Sequence, residues 1–165
     1  HFANDRLRVT EIRLQPGESA STRYGSPHLR WEALPPGGAE TPRPTFHGAG
    51  QSHTLRAKPR AEHREYVFEF LVPPKYTQQE FREKQAATWY HGSPGTECVF
   101  ENEYCVAHDF RVPARGGDRH DMHQHTVDHF FVVLDTPCSL DVYAPRSAGE
   151  LPAADGRVRN VRRAG

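Results

Sequence analysis

The stretch Gly117-Asp-Arg-His-Asp-Met-His123-Gln-His125-Thr-Val-Asp-His129-Phe-Phe-Val-Val-Leu134 places three histidines within seven residues, just before an apolar run. Strand side chains alternate between two faces, so His123 and His125 are expected on the same face. A short turn then brings His129 beside them from the next strand. Three neutral imidazoles converging from rigid strands suit a divalent transition metal and leave room for a reactant. The stretch therefore predicts a metal site with these three histidines as ligands.

The same spacing resembles the first signature motif of the cupin superfamily, which has a glycine, then His-x-His, then an acidic ligand and a hydrophobic strand. Two positions differ: His129 stands where the family usually has Glu, and Thr136 stands where the motif usually ends in Gly. The first difference keeps a ligand, because cupin sites with three histidines are known. The resemblance implies an all-β fold, a cupin-type β-barrel or jelly roll. Imidazole ligands suit Fe, Mn, Zn, Ni or Cu, and the sequence does not choose among them.

Composition narrows the class of protein. The 21 basic and 21 acidic residues balance, so no electrostatic footprint for nucleic acid is visible. With 14 Pro, 13 Gly and few helical patterns, the chain is expected to be mainly β with long turns. Because no apolar stretch approaches the roughly 18 residues that would span a bilayer, we expect a soluble chain. The three cysteines, an odd number, favour a reducing compartment, with a Cys98–Cys105 bridge as the alternative.

An internal repeat of about a hundred residues forms the second pattern. Residues 2–14 align with 100–112 at an offset of 98, which pairs Asn4 with Asn102. Two further loop residues bring Gly17 onto Gly117 at an offset of 100. Residues 4–34 and 102–134 are therefore expected to form similar β units.

The repeat also predicts which half binds the metal. At the offset of 100, the three ligands of the second half fall on Arg23, Gly25 and Leu29, so the first half is expected to have lost its ligands. His28 lies one position out of register, and a shift of one turns a strand residue to the other face. The isolated histidines of the first half are expected at the surface or in hydrogen bonds; they are His47, His53 and His63.

Three parts follow along the chain: residues 1–74 as a degenerate cupin-like unit without metal ligands, 75–97 as a helical connector, and 98–165 as the cupin unit with the histidine triplet. The apolar run 64–72 is expected to close the first barrel. The connector begins with the capping box Thr77-Gln-Gln-Glu80. Its expected packing face consists of Phe81, Gln85, Thr88 and Trp89.

The second unit is expected to be incomplete at its C-terminal end. Gly165 corresponds to Glu65, so this unit stops before its counterpart of the apolar run and leaves an open sheet edge. The expected outcomes are a natural chain that continues, a protein partner or second copy that covers the edge, or a tail that takes a different course. A small-molecule ligand inside the barrel is the other expected partner.

Two function classes stay open at this point. One is a metal-dependent enzyme, since dioxygenases, lyases and isomerases all occur in the resembled family; the other is a non-catalytic cupin-fold binding or structural subunit of a larger assembly. Fold alone does not decide between them.

Further residues near the triplet could serve as acid or base, and nothing selects among them; they are Tyr104, Asp121, Asp128 and Tyr143. His108 is either a fourth ligand or a core histidine, and His120 is a weaker candidate. A third, remote reading makes His1 half of a copper-binding amino-terminal brace.

Overall fold

The fold consists mostly of antiparallel β-strands with one short helix, which confirms the expected all-β class. The computed structural model describes residues 2–33, 42–87, 95–110, 127, 129–132, 141–143 and 157–159. The strands are β1 Phe2–Ala3, β2 Leu7–Leu14, β3 Ser19–Arg23, β4 His28–Glu32, β5 Thr45–His47, β6 Ser52–Arg56, β7 His63–Phe70, β8 Glu97–Glu101, β9 Val106–Asp109, β10 Asp141–Tyr143 and β11 Arg157–Arg159, and the helix is α1 Gln78–Ala86.

The largest sheet has five strands in the order β1-β2-β7-β4-β5. β7 lies at its centre and pairs with β2 along eight residues, from Leu7 opposite Phe70 to Leu14 opposite His63. On its other side β7 pairs with β4. A separate two-stranded sheet joins β3 to β6. Within the described ranges these sheets do not close into a barrel, so β7, the run expected to close it, is here a central strand.

One face of the five-stranded sheet is apolar. Val9, Leu29, Tyr66 and Phe68 are buried there as one cluster. Residues of the β8–β9 hairpin and Val132 pack against this cluster, so the second half of the chain covers this face of the first. The alternation of side chains along β4 and β7 explains why the aromatic and aliphatic residues collect on one side.

The opposite face of the same sheet is covered by the β3–β6 sheet. Leu14 of β2 forms a buried apolar cluster with Leu55 and Ala57 at one end of this contact. Beyond this cluster, alternation places the polar residues His28, Arg30 and Glu65 on the same face as the fully buried Val67. This face of β4 and β7 is therefore covered but mixed, with charged side chains around one buried valine.

Two hairpin turns have the same hydrogen bonds. Asn4 donates its backbone N–H to the Leu7 carbonyl, and its Oδ1 accepts from the N–H groups two and three residues later. Asn102 donates to the Cys105 carbonyl and accepts in the same two positions. The strands match as well: Phe2 lies opposite Val9, and Phe100 opposite Ala107, each at the offset of 98 that the repeat predicts. This geometry supports the repeat at its first hairpin.

The helix begins where the capping box predicts. Thr77 is the N-cap, its Oγ1 accepts from the Glu80 N–H, and the Glu80 carboxylate accepts from the Thr77 N–H. Phe81 and Gln85 lie on the half-buried face, as expected. Gln78 and Arg82 donate to the same Glu101 oxygen, which ties the helix to β8. Thr88 and Trp89, the rest of the expected face, lie outside the described residues.

We expect Thr77→Ala to lower the free energy of unfolding by about 1 kcal/mol, because the first-turn amide of Glu80 loses its acceptor. Urea unfolding followed by circular dichroism measures the change. Thr45→Ala is the control, since this threonine is exposed and lies in β5 rather than at a helix terminus. Equal midpoints for Thr77→Ala and wild type would contradict a stabilising cap.

Two short strands near the C-terminus pair antiparallel, with Val142 opposite Val158. The alternating stretch 139–145 predicts a short strand, and β10 lies inside it. β11 lies in a stretch where the sequence shows no strand pattern. The paired partner explains this difference, because a three-residue strand is specified by its neighbour rather than by its own periodicity.

Candidate functional site

Only one member of the expected ligand triplet lies in the described part of the chain. His123 and His125 fall outside it, whereas His129 is described and exposed. The Phe130 ring lies 5.5 Å from Phe68, and Val132 packs on the same apolar cluster. His129 and Phe131 contact each other, with ring centroids 5.5 Å apart. Phe130 and Val132 therefore contact the first half, whereas His129 is exposed beside Phe131.

Leu29 of the first half and Phe130 of the second half both pack on Phe68. Aligning these two residues gives an offset of 101, which pairs His129 with His28, whereas the offset of 100 pairs His129 with Leu29. The difference of one residue matters, because it changes the face that a strand side chain occupies.

With this register, the spacing of the triplet falls on Thr22, Tyr24 and His28. Tyr24 and His28 are buried with ring centroids 4.5 Å apart. Thr22 lies opposite His53 on the neighbouring strand, and its buried Oγ1 has no hydrogen-bond partner among the described residues. The positions aligned with the predicted ligands thus lie between the two sheets in the first half.

At the offset of 100, the predicted ligands align with Arg23, Gly25 and Leu29. Arg23 is exposed, and its Nε donates to the Gly50 carbonyl. Gly25 has no side chain, and Leu29 is 3% exposed within the apolar cluster. The polar interior of the first half is instead built by residues whose roles the sequence did not reveal, namely His28, Arg30, His53 and Glu65.

A chain of hydrogen bonds links these residues across the two sheets. His28 Nδ1 lies 3.0 Å from the Ser26 carbonyl, which only accepts, so Nδ1 carries the proton. His28 Nε2 lies 2.8 Å from His53 Nε2, and Arg30 Nη1 lies 3.1 Å from His53 Nδ1. Arginine only donates, so His53 accepts at Nδ1 and donates from Nε2 to His28. With both rings neutral, every hydrogen bond in the chain has one defined direction.

The environment favours these neutral rings. Burial lowers the pKa of His28, and this outweighs the hydrogen bond to the Ser26 carbonyl, which favours the charged form. Burial also lowers the pKa of His53, and the positive charge of Arg30 lowers it further. Both shifts have the sign expected for an imidazole removed from water.

A buried ion pair anchors the chain at Arg30. Its guanidinium donates to both oxygens of Glu65, with Nη2 2.8 Å from Oε2. The Glu65 side chain is 4% exposed, and His63 Nε2 lies 3.1 Å from its Oε2. Hydrogen bonding to Glu65 raises the pKa of Arg30, so the guanidinium stays charged. Arg30 therefore joins the carboxylate of β7 to the imidazole of β6.

Three imidazole rings lie close together here, and imidazole is a common metal ligand. The ring centroids of His47 and His53 are 4.4 Å apart, and those of His28 and His47 are 5.3 Å apart. However, Arg30 occupies the lone pair of His53 Nδ1 and thereby leaves a proton on Nε2, while its charge repels a cation. In the described ranges no group of three His, Cys, Asp or Glu residues could hold a metal ion.

The remaining candidates are distributed over both halves. His108 is half-buried on β9 opposite Cys98, and Tyr104 packs with Phe46 and Phe70. His1, His120, Asp121 and Asp128 lie outside the described residues, and for Tyr143 only the backbone is described.

The proposed bridge between Cys98 and Cys105 is wrong, because both thiols are free. Burial raises the pKa of the Cys105 thiol to about 12, so it stays protonated.

The sequence pattern does not reveal the hydrogen-bonded chain of His28, His53, Arg30 and Glu65. The run 64–72 predicts a buried strand from its apolar residues, yet Glu65 and Glu69 lie among them and are 3% and 5% exposed. Two charged residues four positions apart on a covered strand are the signal that the sequence contains. Arg30 lies 35 residues from Glu65, and His28 lies 25 residues from His53, separations that periodicity does not report.

Comparisons of the chain with protein-family models, curated proteins and solved structures found no match. Within the described residues, no helix is long and apolar enough to cross a membrane.

Proposed function

We propose that this chain is a cupin-type metal-binding protein whose second unit holds a divalent transition metal through His123, His125 and His129. The carrying observation is the convergence of Thr22, Tyr24 and His28 between two stacked sheets. Their spacing, one residue and then three, is the spacing of the histidine triplet. If the second half repeats this geometry, as its first hairpin does, three imidazoles meet at one point.

The donor set fits the proposed ion. Three imidazoles without a carboxylate suit Fe, Mn, Zn, Ni or Cu and leave positions for a reactant. When bound, the metal would supply Lewis-acid or redox chemistry of the dioxygenase, lyase or isomerase kind found in the resembled family. His129 supports this arrangement, because its side chain is exposed and therefore accessible to an ion.

We expect the purified chain to retain close to one metal ion per molecule, and His123→Ala/His125→Ala to lose it, because one imidazole cannot hold the ion. Elemental analysis by plasma mass spectrometry measures both. The control is His47→Gln/His63→Gln, which also removes two imidazoles but from the first half, and it should keep the metal. Equal metal content in the wild type and the His123/His125 variant would contradict the proposal.

The second candidate is a non-catalytic cupin-fold subunit of a larger assembly. The observation that favours it is the interior of the first half, where Arg30 and Glu65 fill the space between the sheets with a closed set of hydrogen bonds. A folded wild-type chain that binds neither its own metal nor added Fe, Mn or Zn would select this alternative. Pull-down with the intact chain as bait is then the next experiment.

A further inference from the structure

We propose that His28, His53 and Arg30 form a proton-operated latch, the inter-sheet latch, that joins the two sheets of the first half at neutral pH and releases β6 on acidification. The inference does not depend on a metal in the second half. It rests on the direction of the hydrogen bonds and on their position in the fold.

The inter-sheet latch lies near one end of β6. His53 lies near the start of β6, and its two side-chain partners, His28 and Arg30, belong to the opposing sheet. Near the other end of the strand, Leu55 packs with Leu14 in an apolar cluster that carries no titratable group. The β3–β6 sheet is thus held at one end by hydrophobic contact, which is insensitive to pH, and at the other end by imidazoles.

The hydrogen bonds of the latch depend on which ring nitrogens carry a proton. The 2.8 Å contact between His28 Nε2 and His53 Nε2 needs one ring to donate and the other to accept. A proton added to His28 turns its Nε2 into a donor and sets two N–H groups against each other. A proton added to His53 appears on Nδ1 and meets the Arg30 guanidinium. Either protonation therefore breaks a hydrogen bond between the sheets.

Other titratable groups surround the two imidazole rings. The groups facing the two rings are Tyr24 after β3, Arg30 on β4, His47 on β5, and Glu65 and Glu69 on β7. Both carboxylates already have cationic partners: Arg30 binds Glu65, and Arg8 Nη1 lies 3.2 Å from Glu69 Oε2. An added proton is therefore not matched by an uncommitted negative charge among these groups.

The sign of the pH dependence follows from linkage. Burial lowers the pKa of both histidines below the ordinary value of 6.5, so the closed latch binds fewer protons than the open form. The latch is fully stable above about pH 6.5, and acidification below that value favours opening. For each histidine that takes up a proton, the equilibrium constant for opening rises about tenfold per pH unit of acidification, until the pH reaches the lowered pKa of that histidine.

Amide hydrogen exchange on the full chain tests the latch. A two-stranded sheet is marginal in water, so the amides of Ser52–Arg56 should exchange faster once β6 leaves the larger sheet. After correction for the intrinsic pH dependence, we expect their exchange to rise about tenfold or more per unit below pH 6.5. Exchange along β2 and β7 should stay constant. An equal acceleration in all strands, or none in β6, overturns the proposal.

The decisive variant is His53→Gln. Its amide donates to His28 and its carbonyl accepts from Arg30, so the hydrogen bonds survive while the titrating ring at position 53 is removed. We expect the pH dependence of β6 exchange to fall at least tenfold over the unit below pH 6.5. The control His108→Gln should keep the wild-type dependence, because this histidine lies on β9 and is not among the groups that face the two rings. Unchanged dependence in His53→Gln overturns the latch.

A second measurement covers the case in which His53→Gln does not fold. Nitrogen-15 NMR of the wild-type histidine rings reports the protonated nitrogen directly. We expect neutral His28 with its proton on Nδ1 and neutral His53 with its proton on Nε2, both titrating below pH 6.5. The opposite tautomers, or titration at the ordinary value or above it, overturn the proposal.

Discussion

Arg30→Met is expected to lower the free energy of unfolding by about 3 kcal/mol, the lower end of what breaking a buried ion pair costs. The variant leaves the Glu65 carboxylate, 4% exposed, without the guanidinium that donates to both of its oxygens. His63 still contacts this carboxylate and moderates the loss. Urea unfolding, analysed with the slope shared between variants, measures the change.

A matched substitution separates burial from charge. Arg43→Met removes one partner from the Arg43–Glu97 pair, whose side chains are 72% and 47% exposed. Water solvates both groups there, so we expect a loss below about 1 kcal/mol. The double variant Arg30→Met/Glu65→Met should recover most of the loss of Arg30→Met, because no unpaired charge stays buried. Similar losses for the two arginine variants would show that the Arg30 pair is effectively solvated.

Phe68→Ala is expected to cost about 3–5 kcal/mol, the range for removing a buried phenylalanine ring. Phe68 is 6% exposed at the centre of the apolar cluster and lies opposite both Val9 and Leu29. The Phe130 ring of the second half packs on it as well. The substitution thus leaves a cavity at the contact between the two halves, which neighbouring strands cannot fill by small movements.

The control for this cavity is Val72→Ala, just beyond the end of β7. Val72 is 38% exposed, so its truncation should change the free energy of unfolding by about 0.5 kcal/mol or less. The same urea titration compares the two variants. A loss below about 1 kcal/mol for Phe68→Ala would mean that the apolar face is loosely packed and that the halves contribute little to each other's stability.

Local features of the fold could be predicted from the sequence. The all-β class, the cap at Thr77 and the half-buried helical positions Phe81 and Gln85 agree with the structure. The Asn4 and Asn102 turns match as the repeat predicts. These features depend on residues within a few positions of one another, so their signals are present in short windows of sequence.

The candidate site was predictable only in part. The spacing of His123, His125 and His129 remains a prediction of a metal site, and the loss of ligands in the first half remains a prediction as well. The sequence does not fix the register between the halves, because loop lengths between repeats do not reveal which face a strand presents. The contacts of Leu29 and Phe130 with Phe68 indicate an offset of 101.

The sequence by itself determined the all-β class, the start of the helix and the first hairpin of the repeat, since each follows from neighbouring residues. Only the tertiary structure decided that His28, His53 and Arg30 meet. Two sheets must stack before His53 comes into hydrogen-bonding distance of His28 and Arg30, which lie 25 and 23 positions away. Once they are stacked, removal from water lowers the pKa of both histidines and makes the Arg30–Glu65 ion pair costly to break.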